Sequence, residues 1–266
     1  MLALSFAAGE RPIAGRKLNE WRDDCGALVA EGFCRDELRW LAWFGLGLFA
    51  FTPGSLQVQF WPDSDADRER VMDAFSRMLQ PIILQALGWE ALHASAALTP
   101  GGVVGFCGVS GSGKSTLAFA MQLAGWQQFA DDSLVLRFGP DGITACPMPF
   151  RRGLRPPSRQ HFEKLADIPR VAVLRHSSEI PLSAIFLLQQ SAANSEPSIS
   201  RLPKNRAFLD LLPHAHCFAP NEAADGERLV RRYMELAERV PIFAAKFGSG
   251  LHELPLLTQA VVEAAA

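Results

Sequence analysis

The sequence predicts an α/β fold built on a mixed sheet, with a small α+β region at its N-terminal side. Two observations predict it. A glycine-rich stretch at 108–116 lies between an apolar run and a segment of helical period, so one strand feeds a helix through a tight loop. Short turns, Thr99-Pro100-Gly101 before that strand and Gly139-Pro140-Asp141-Gly142 beyond it, join apolar runs too closely for a parallel crossover. Hairpins therefore share the sheet with the loop strand.

The N-terminal region covers 1–87. Leu2–Ala8 reads as a strand and Asp36–Phe44, of mixed character, as a short helix. Leu46–Phe51 and Ser55–Trp61 read as two strands joined by Thr52-Pro53-Gly54. In the second, Leu56, Val58 and Phe60 alternate with Ser55, Gln57 and Gln59, which gives the hairpin one wet face. Asp65–Leu87 has apolar residues at three- and four-residue steps (Val71, Phe75, Met78, Leu79, Ile82) and predicts a helix. Asp63, Ser64 and Asp65 offer capping oxygens, Pro81 should kink the helix, and Gly88 should end it.

The second region covers 88–266. Ala91–Leu98 and Gly102–Gly108 are antiparallel neighbours, and the second runs into the loop. Ser115–Ala124 is a helix ending at Gly125, and Trp126–Ala130 is a strand expected to return beside the loop strand. Leu134–Phe138 and Ile143–Cys146 form a hairpin. Residues 147–181 are rich in Pro and Arg and read as an irregular, exposed excursion. Leu182–Gln189 is a strand, Gln190–Ser200 a loop, Lys204–Leu212 and Glu222–Arg239 helices, Pro241–Phe247 a strand, and Leu254–Ala265 a last helix.

Composition narrows the function classes. With 48% hydrophobic and 20% charged residues, the chain has the make-up of a globular protein with a real core. A net charge of −2 lacks the basic excess of a nucleic-acid binder. Cys25, Cys34, Cys107, Cys146 and Cys217 are odd in number and form no Cys-x-x-Cys pair, so they read as reduced thiols of a cytoplasmic protein. Cys107, in an apolar strand, reads as plain core. The longest apolar run, Trp40–Phe51, falls short of the roughly 18 residues of a membrane span. Met1–Gly9 has no basic stretch before it, so no secretory leader is expected.

The chemistry starts at Gly108-Val109-Ser110-Gly111-Ser112-Gly113-Lys114-Ser115-Thr116, which satisfies G-x-x-x-x-G-K-[ST]. The three glycines let backbone N–H groups turn inward around phosphate oxygens. The helix that follows aims its positive end at the same anion. Lys114 suits the β and γ oxygens of a nucleoside triphosphate such as ATP, and the Ser115 hydroxyl suits Mg²⁺. By average composition a chance match in a chain this long arises on the order of 1% of the time. Strand before and helix after are the context that confirms it.

Asp131-Asp132 follows Lys114 by 17 residues, at the end of Trp126–Ala130. Carboxyl ends of strands are where open α/β sheets bind ligands. One carboxylate of the pair suits Mg²⁺, and the other suits orienting an acceptor hydroxyl and taking its proton. Without the loop, the pair would read as a hairpin cap.

Leu92-His93-Ala94-Ser95, Gly108–Thr116 and Phe129-Ala130-Asp131-Asp132, with the weaker Val240-Pro241-Ile242-Phe243, resemble the HPr serine kinase/phosphorylase family, and more closely its shorter HPr-kinase-related members. The resemblance covers about 88–250. It implies a P-loop kinase core related to HPr kinase and phosphoenolpyruvate carboxykinase. It implies that Lys114 and Ser115 serve phosphate and Mg²⁺, that Asp131 is the base, that Asp132 is the metal-side carboxylate, and that His93 lies near the phosphates. The chain departs from the classical family in its short N-terminal region and in Ser115-Thr116 where Ser-Glu is usual. Pro149-Phe150-Arg151-Arg152-Gly153 replaces a Gly- and Glu-rich signature. The resemblance therefore does not extend to the acceptor, the phosphorylase activity or the assembly, although a homo-oligomer is compatible with it.

The function expected is transfer of the γ-phosphoryl group of ATP to a hydroxyl, with Ser or Thr of a protein or peptide as acceptor and no nucleic-acid or membrane partner. The alternatives are a small-molecule kinase, and a nucleotide-binding regulatory module that transfers nothing. An open acceptor groove beside the acidic pair separates the first from the second, and a mere binder needs no base. Arg151, Arg152 and Arg155 are candidates to fold over the nucleotide, or a solvated basic loop. Lys204 and Arg206 read as solvated, His214-Ala215-His216 lacks a metal partner set, and Trp40, Trp43 and Phe44 read as core.

Overall fold

The computed structural model describes residues 1–7, 9–12, 14–23, 25–164, 178–191, 196–248 and 250–265, in two units. The first comprises Met1–Trp89 and His216–Leu229; the second comprises Glu90–Ala215 and Val230–Ala266.

Six strands build the sheet of the first unit, in the order β1-β6-β5-β4-β3-β2. They are β1 (Ala3–Phe6), β2 (Arg16–Arg22), β3 (Leu28–Arg35), β4 (Leu38–Trp43), β5 (Gly47–Phe51) and β6 (Gln57–Pro62). β1 lies parallel to β6 and the other pairs are antiparallel. The alternation seen in the sequence holds at Val58 and Phe60, which are buried while Gln57 and Gln59 face solvent, but Leu56 lies before β6 and is exposed. Ala8, expected to end the first strand, lies outside the described residues.

Asp36–Phe44 is not a helix. Asp36 turns the chain with φ 55°, and β4 then pairs with β3 from Arg35↔Leu38 to Ala30↔Trp43. Helix-forming residue types there are overridden by cross-strand packing, such as Phe33 stacked on Trp40 at 5.7 Å. Trp40 is core, Trp43 is half-buried, and Phe44 is exposed rather than core. The charged β2 escapes a hydrophobic reading because an edge strand carries charge to deter pairing with other chains. Lys17 Nζ meets Glu31 Oε1 across β2–β3 at 2.6 Å.

The expected helix forms as α1 (Arg68–Ala74), a π-turn (Phe75–Leu79) and α2 (Gln80–Ala86). The Asp67 side chain, rather than Asp63, Ser64 or Asp65, caps its start, and Gly88, at φ 97°, follows its end. Pro81 has no N–H to donate, and the wider turn before it absorbs the misfit. His216–Leu229 joins this unit through contacts such as Phe218 N–H donating to Gln85 Oε1 at 2.7 Å.

The second unit holds a nine-stranded mixed sheet. Its strands are β7 (Glu90–Leu92), β8 (Ala94–Thr99), β9 (Gly102–Cys107), β10 (Gln127–Ala130), β11 (Leu134–Phe138), β12 (Ile143–Cys146), β13 (Ile180–Gln190), β14 (Ser198–Arg201) and β15 (Ile242–Phe247). The order is β10-β8-β9-β13-β12-β11-β7, with β15 also parallel to β13 and β14 antiparallel to β15. β9 and β13 are parallel; the β8–β9 and β11–β12 hairpins are antiparallel. Helices α3 (Lys114–Leu123), α4 (Pro156–Glu163), α5 (Lys204–Leu211), the residues of α6 (Ala223–Arg239) from 230 on, and α7 (Leu254–Ala265) complete it. Phe106, Leu117, Phe119, Phe162, Phe186 and Leu257 meet in its core.

Four expectations change here. The run Ala91–Leu98 is two strands, broken at His93: β7 pairs with β11, and only β8 is the antiparallel neighbour of β9. β10 pairs with β8, not with the loop strand β9. Because β8 is antiparallel to both, β9 and β10 still run the same way and end on the same side of the sheet. Residues 147–181 are not an exposed excursion throughout: Met148, Phe150, Leu154 and Phe162 are buried and α4 lies within them. Residues 165–177 lie outside the described part. The loop expected at Gln190–Ser200 contains β14, and 192–195 lie outside the description. No described helix is long and apolar enough to cross a membrane.

Candidate active site

The loop after β9 needs its glycines. A Cβ on Gly108 (φ 154°) would lie 2.5 Å from Ser112 Oγ and 3.0 Å from the Leu188 carbonyl oxygen. Gly111 and Gly113 have φ 84° and 96°, a region that only glycine enters without strain. Gly113 then leads into α3 with no side-chain cap, so the first amides of that helix are left to an outside acceptor. Ser112 Oγ is buried without a hydrogen-bond partner.

Lys114, the first residue of α3, is 7% exposed. Its Nζ donates to the carbonyls of Gly108 at 2.9 Å and Val109 at 3.1 Å, both in the loop it serves. Burial pushes its pKa below the ordinary lysine value, a shift opposed in part by Asp132 and Asp131. A buried ammonium held only by neutral carbonyls favours an arriving anion.

Two strands and a loop fix the carboxylates. Asp131 is 6% exposed. Its Oδ1 accepts from Ser95 Oγ on β8 at 2.7 Å, and its Oδ2 accepts from the Gly153 N–H at 2.6 Å. Ser95 Oγ also lies 3.5 Å from Ser115 Oγ. The register Ala130↔Ala96 across β10–β8 makes Ser95 and Asp131 neighbours. Asp132 is different. Its backbone sits at φ 72° and its side chain is 76% exposed. His93 Nδ1 lies 3.3 Å from Asp132 Oδ1 and 3.1 Å from the Asp132 carbonyl. Both neighbours are acceptors, so Nδ1 carries the proton. The His93 backbone N–H donates to the His214 carbonyl at 2.7 Å.

The arginines part company. Arg155 Nη2 reaches Ser110 Oγ at 3.1 Å, and its guanidinium lies over Gly111. Arg152 instead bonds Gln128 Oε1 and Gln122 Oε1 and lies over the Phe119 ring. Burial lowers its pKa, against the opposing charge of Asp131. Arg151 is exposed. Thr116 Oγ1 pairs with Ser158 Oγ of α4 at 2.9 Å. Arg206 pairs with Asp210 and Lys204 is exposed. Burial, then the charges of Lys114 and His93, push the His214 pKa down. Among the described residues no group of three His, Cys, Asp or Glu forms a metal cage.

The site thus gathers Gly108–Thr116, His93, Asp131 and Asp132 on one side of the sheet. Sequence reasoning missed Gly153 and gave Ser95 no role. Gly153 sits in the Pro- and Arg-rich stretch, where an isolated glycine after two arginines was the sole signal.

No family model matches the chain, and no curated protein matches it. Among solved structures, the Hpr(Ser) kinase/phosphatase from Coxiella burnetii is similar at 14% identity with a TM-score of 0.37, covering 65% of this chain and 89% of that one. That likeness is distant, and the site rests on its own geometry.

Proposed function

We propose that this chain is an HPr-kinase-like phosphotransferase that moves the γ-phosphoryl group of ATP, bound with Mg²⁺, to a hydroxyl of a protein or peptide. The observation that carries the reading is the convergence of a buried ammonium, an uncapped helix start and two unlike carboxylates on one glycine-rich loop.

The residues fit both groups. Glycines without Cβ atoms leave the amides of the loop approachable, and the Gly113 side is open space. Ser115 Oγ and the Asp131 carboxylate are hard oxygen donors. Mg²⁺ is commonly held by one or two carboxylates together with substrate phosphates, so the lack of a ready-made cage among the described residues suits it. Bound there, Mg²⁺ would neutralise charge on the phosphoryl oxygens.

The burial of Asp131 supports assigning it, rather than Asp132, to the metal side. Both of its oxygens already accept a hydrogen bond, which orients them for a cation and leaves them poorly placed to take a proton. Asp132, exposed and held by His93, is the base in this reading. That reverses the division the family resemblance implies. Lys114 leaves its loop carbonyls for the phosphate oxygens, and Arg155 stabilises charge from above Gly111. The exposure of Asp132 leaves room for a large acceptor, which favours a protein or peptide over a small molecule. Cytoplasmic residence and the absence of nucleic-acid and membrane partners complete the proposal.

Asp132→Asn tests it, measured for ATP binding and for phosphate transfer to candidate acceptors. ATP affinity should stay within about two-fold while transfer falls by about 10²-fold or more. Full transfer by this variant would return the base to Asp131, and no transfer by the wild-type chain with any acceptor would leave only a binding module.

A further inference from the structure

Beside the loop, on the side of Thr116 rather than of Asp131, the second unit contains a cavity of about 160 Å³. It is lined by Gly111, Gly113 and Thr116 of the loop, by Leu117, and by Phe247, Leu251 and Leu254 from the end of β15 and the start of α7. We infer that this cavity is the nucleobase subsite, an apolar slot that takes the aromatic ring of the nucleotide and makes the chain prefer a nucleoside triphosphate to bare polyphosphate.

The inference rests on the proposed function and adds to it the direction in which the nucleotide lies. Lys114 and the Asp131–Ser115 cluster mark the end where the terminal phosphate belongs. Gly113 and Thr116 line the cavity while Lys114, Ser115 and Asp131 do not, so the remainder of the ligand leaves the loop on that side. Most of the walls it meets there are hydrocarbon: Leu117, Leu254, Phe247 and Leu257 line it and are nearly buried. Such a lining rejects charge and accepts a flat heterocycle. Size agrees, since a cavity of about 150 Å³ is enough for a benzene ring.

Polar groups at the slot are few. Thr116 and Ser158 spend their hydroxyls on each other at 2.9 Å. Gln190, exposed at the end of β13, also lines the cavity. Its amide offers a donor and an acceptor side by side, the pattern that pairs with the edge of adenine.

The test is calorimetric titration of the full chain with two probes, ATP and inorganic tripolyphosphate, each with Mg²⁺. Wild type should bind ATP at least ten-fold more tightly than tripolyphosphate. Leu251→Trp, at a half-buried position, should fill the slot and erase that margin while tripolyphosphate affinity stays put. Gln190→Ala, at an exposed position, should reduce ATP affinity about three-fold with tripolyphosphate unchanged, and it decides the matter should the bulkier variant fail to fold. Equal wild-type affinity for the two probes, or an unaltered ATP margin in both variants, overturns the subsite and spares the phosphate loop. Binding of neither probe by wild type overturns the phosphate loop itself, and the subsite with it.

Discussion

The Ser95 hydroxyl donates to Asp131 Oδ1 at 2.7 Å while standing 3.5 Å from the Ser115 hydroxyl, so one β8 side chain ties Asp131 to the start of α3. Ser95 is wholly buried, and a hydrogen bond to a buried carboxylate is worth about 1.5–3 kcal/mol. Ser95→Ala should loosen Asp131 and raise the Mg²⁺ concentration for half-maximal transfer by about ten-fold. Nucleotide affinity measured without Mg²⁺ should barely move. A Mg²⁺ dependence identical to wild type would separate Asp131 from the metal.

Lys114 illustrates a group held ready at some expense. Its ammonium is buried against two carbonyls, and burial alone disfavours the charge. Lys114→Ala should therefore lower ATP affinity by well over ten-fold, more than about 1.4 kcal/mol. Stability of the ligand-free chain should change by no more than about 1 kcal/mol, because the lost hydrogen bonds and the relieved desolvation offset one another. Unchanged ATP affinity would reject the loop assignment.

Arg152 and Arg155 are three residues apart and should respond in opposite ways. Arg152→Ala removes two hydrogen bonds to glutamines and the packing over Phe119, so it should cost about 1–2 kcal/mol in urea unfolding and leave ATP affinity intact. Arg155→Ala touches only the loop and should lower kcat/KM by about ten- to hundred-fold at unaltered stability. Similar losses of activity in both would mean that the whole 151–155 segment acts as one.

What could be read ahead of the structure follows from range in the sequence. The loop, its helix and the two hairpins are local: each is set by glycines, a proline turn or a short apolar period, and each stands where the sequence put it. The pairing of β10 with β8 and the Gly153 N–H on Asp131 join residues far apart, and no local pattern encodes them. β4 failed for a different reason. Asp36–Phe44 mixes helix formers (Glu37, Leu38, Arg39, Leu41, Ala42) with aromatics that favour strands, and the ladder to β3 decides for a strand. The unlike surroundings of Asp131 and Asp132 were equally hidden, since adjacent residues at a strand end point to opposite sides.

Two buried thiols give a pH signature that is independent of the reaction. Burial pushes both Cys107, on the loop strand, and Cys146, on β12, up to about 12 from an ordinary 9.0. The folded chain keeps these protons where the unfolded chain loses them, so their contribution to stability is complete below pH 9.0 and fades as pH rises toward 12. At pH 10.5 the loss is about 2 kcal/mol for each thiol, from about 1.4 kcal/mol per pH unit of separation. Urea midpoints taken at pH 8 and 10.5 should fall more steeply for wild type than for a Cys107→Ala, Cys146→Ala double variant. Other alkaline titrations are common to both proteins and cancel in that comparison. Parallel slopes would mean that water reaches one or both thiols, which would loosen β9 as a dry support for the loop.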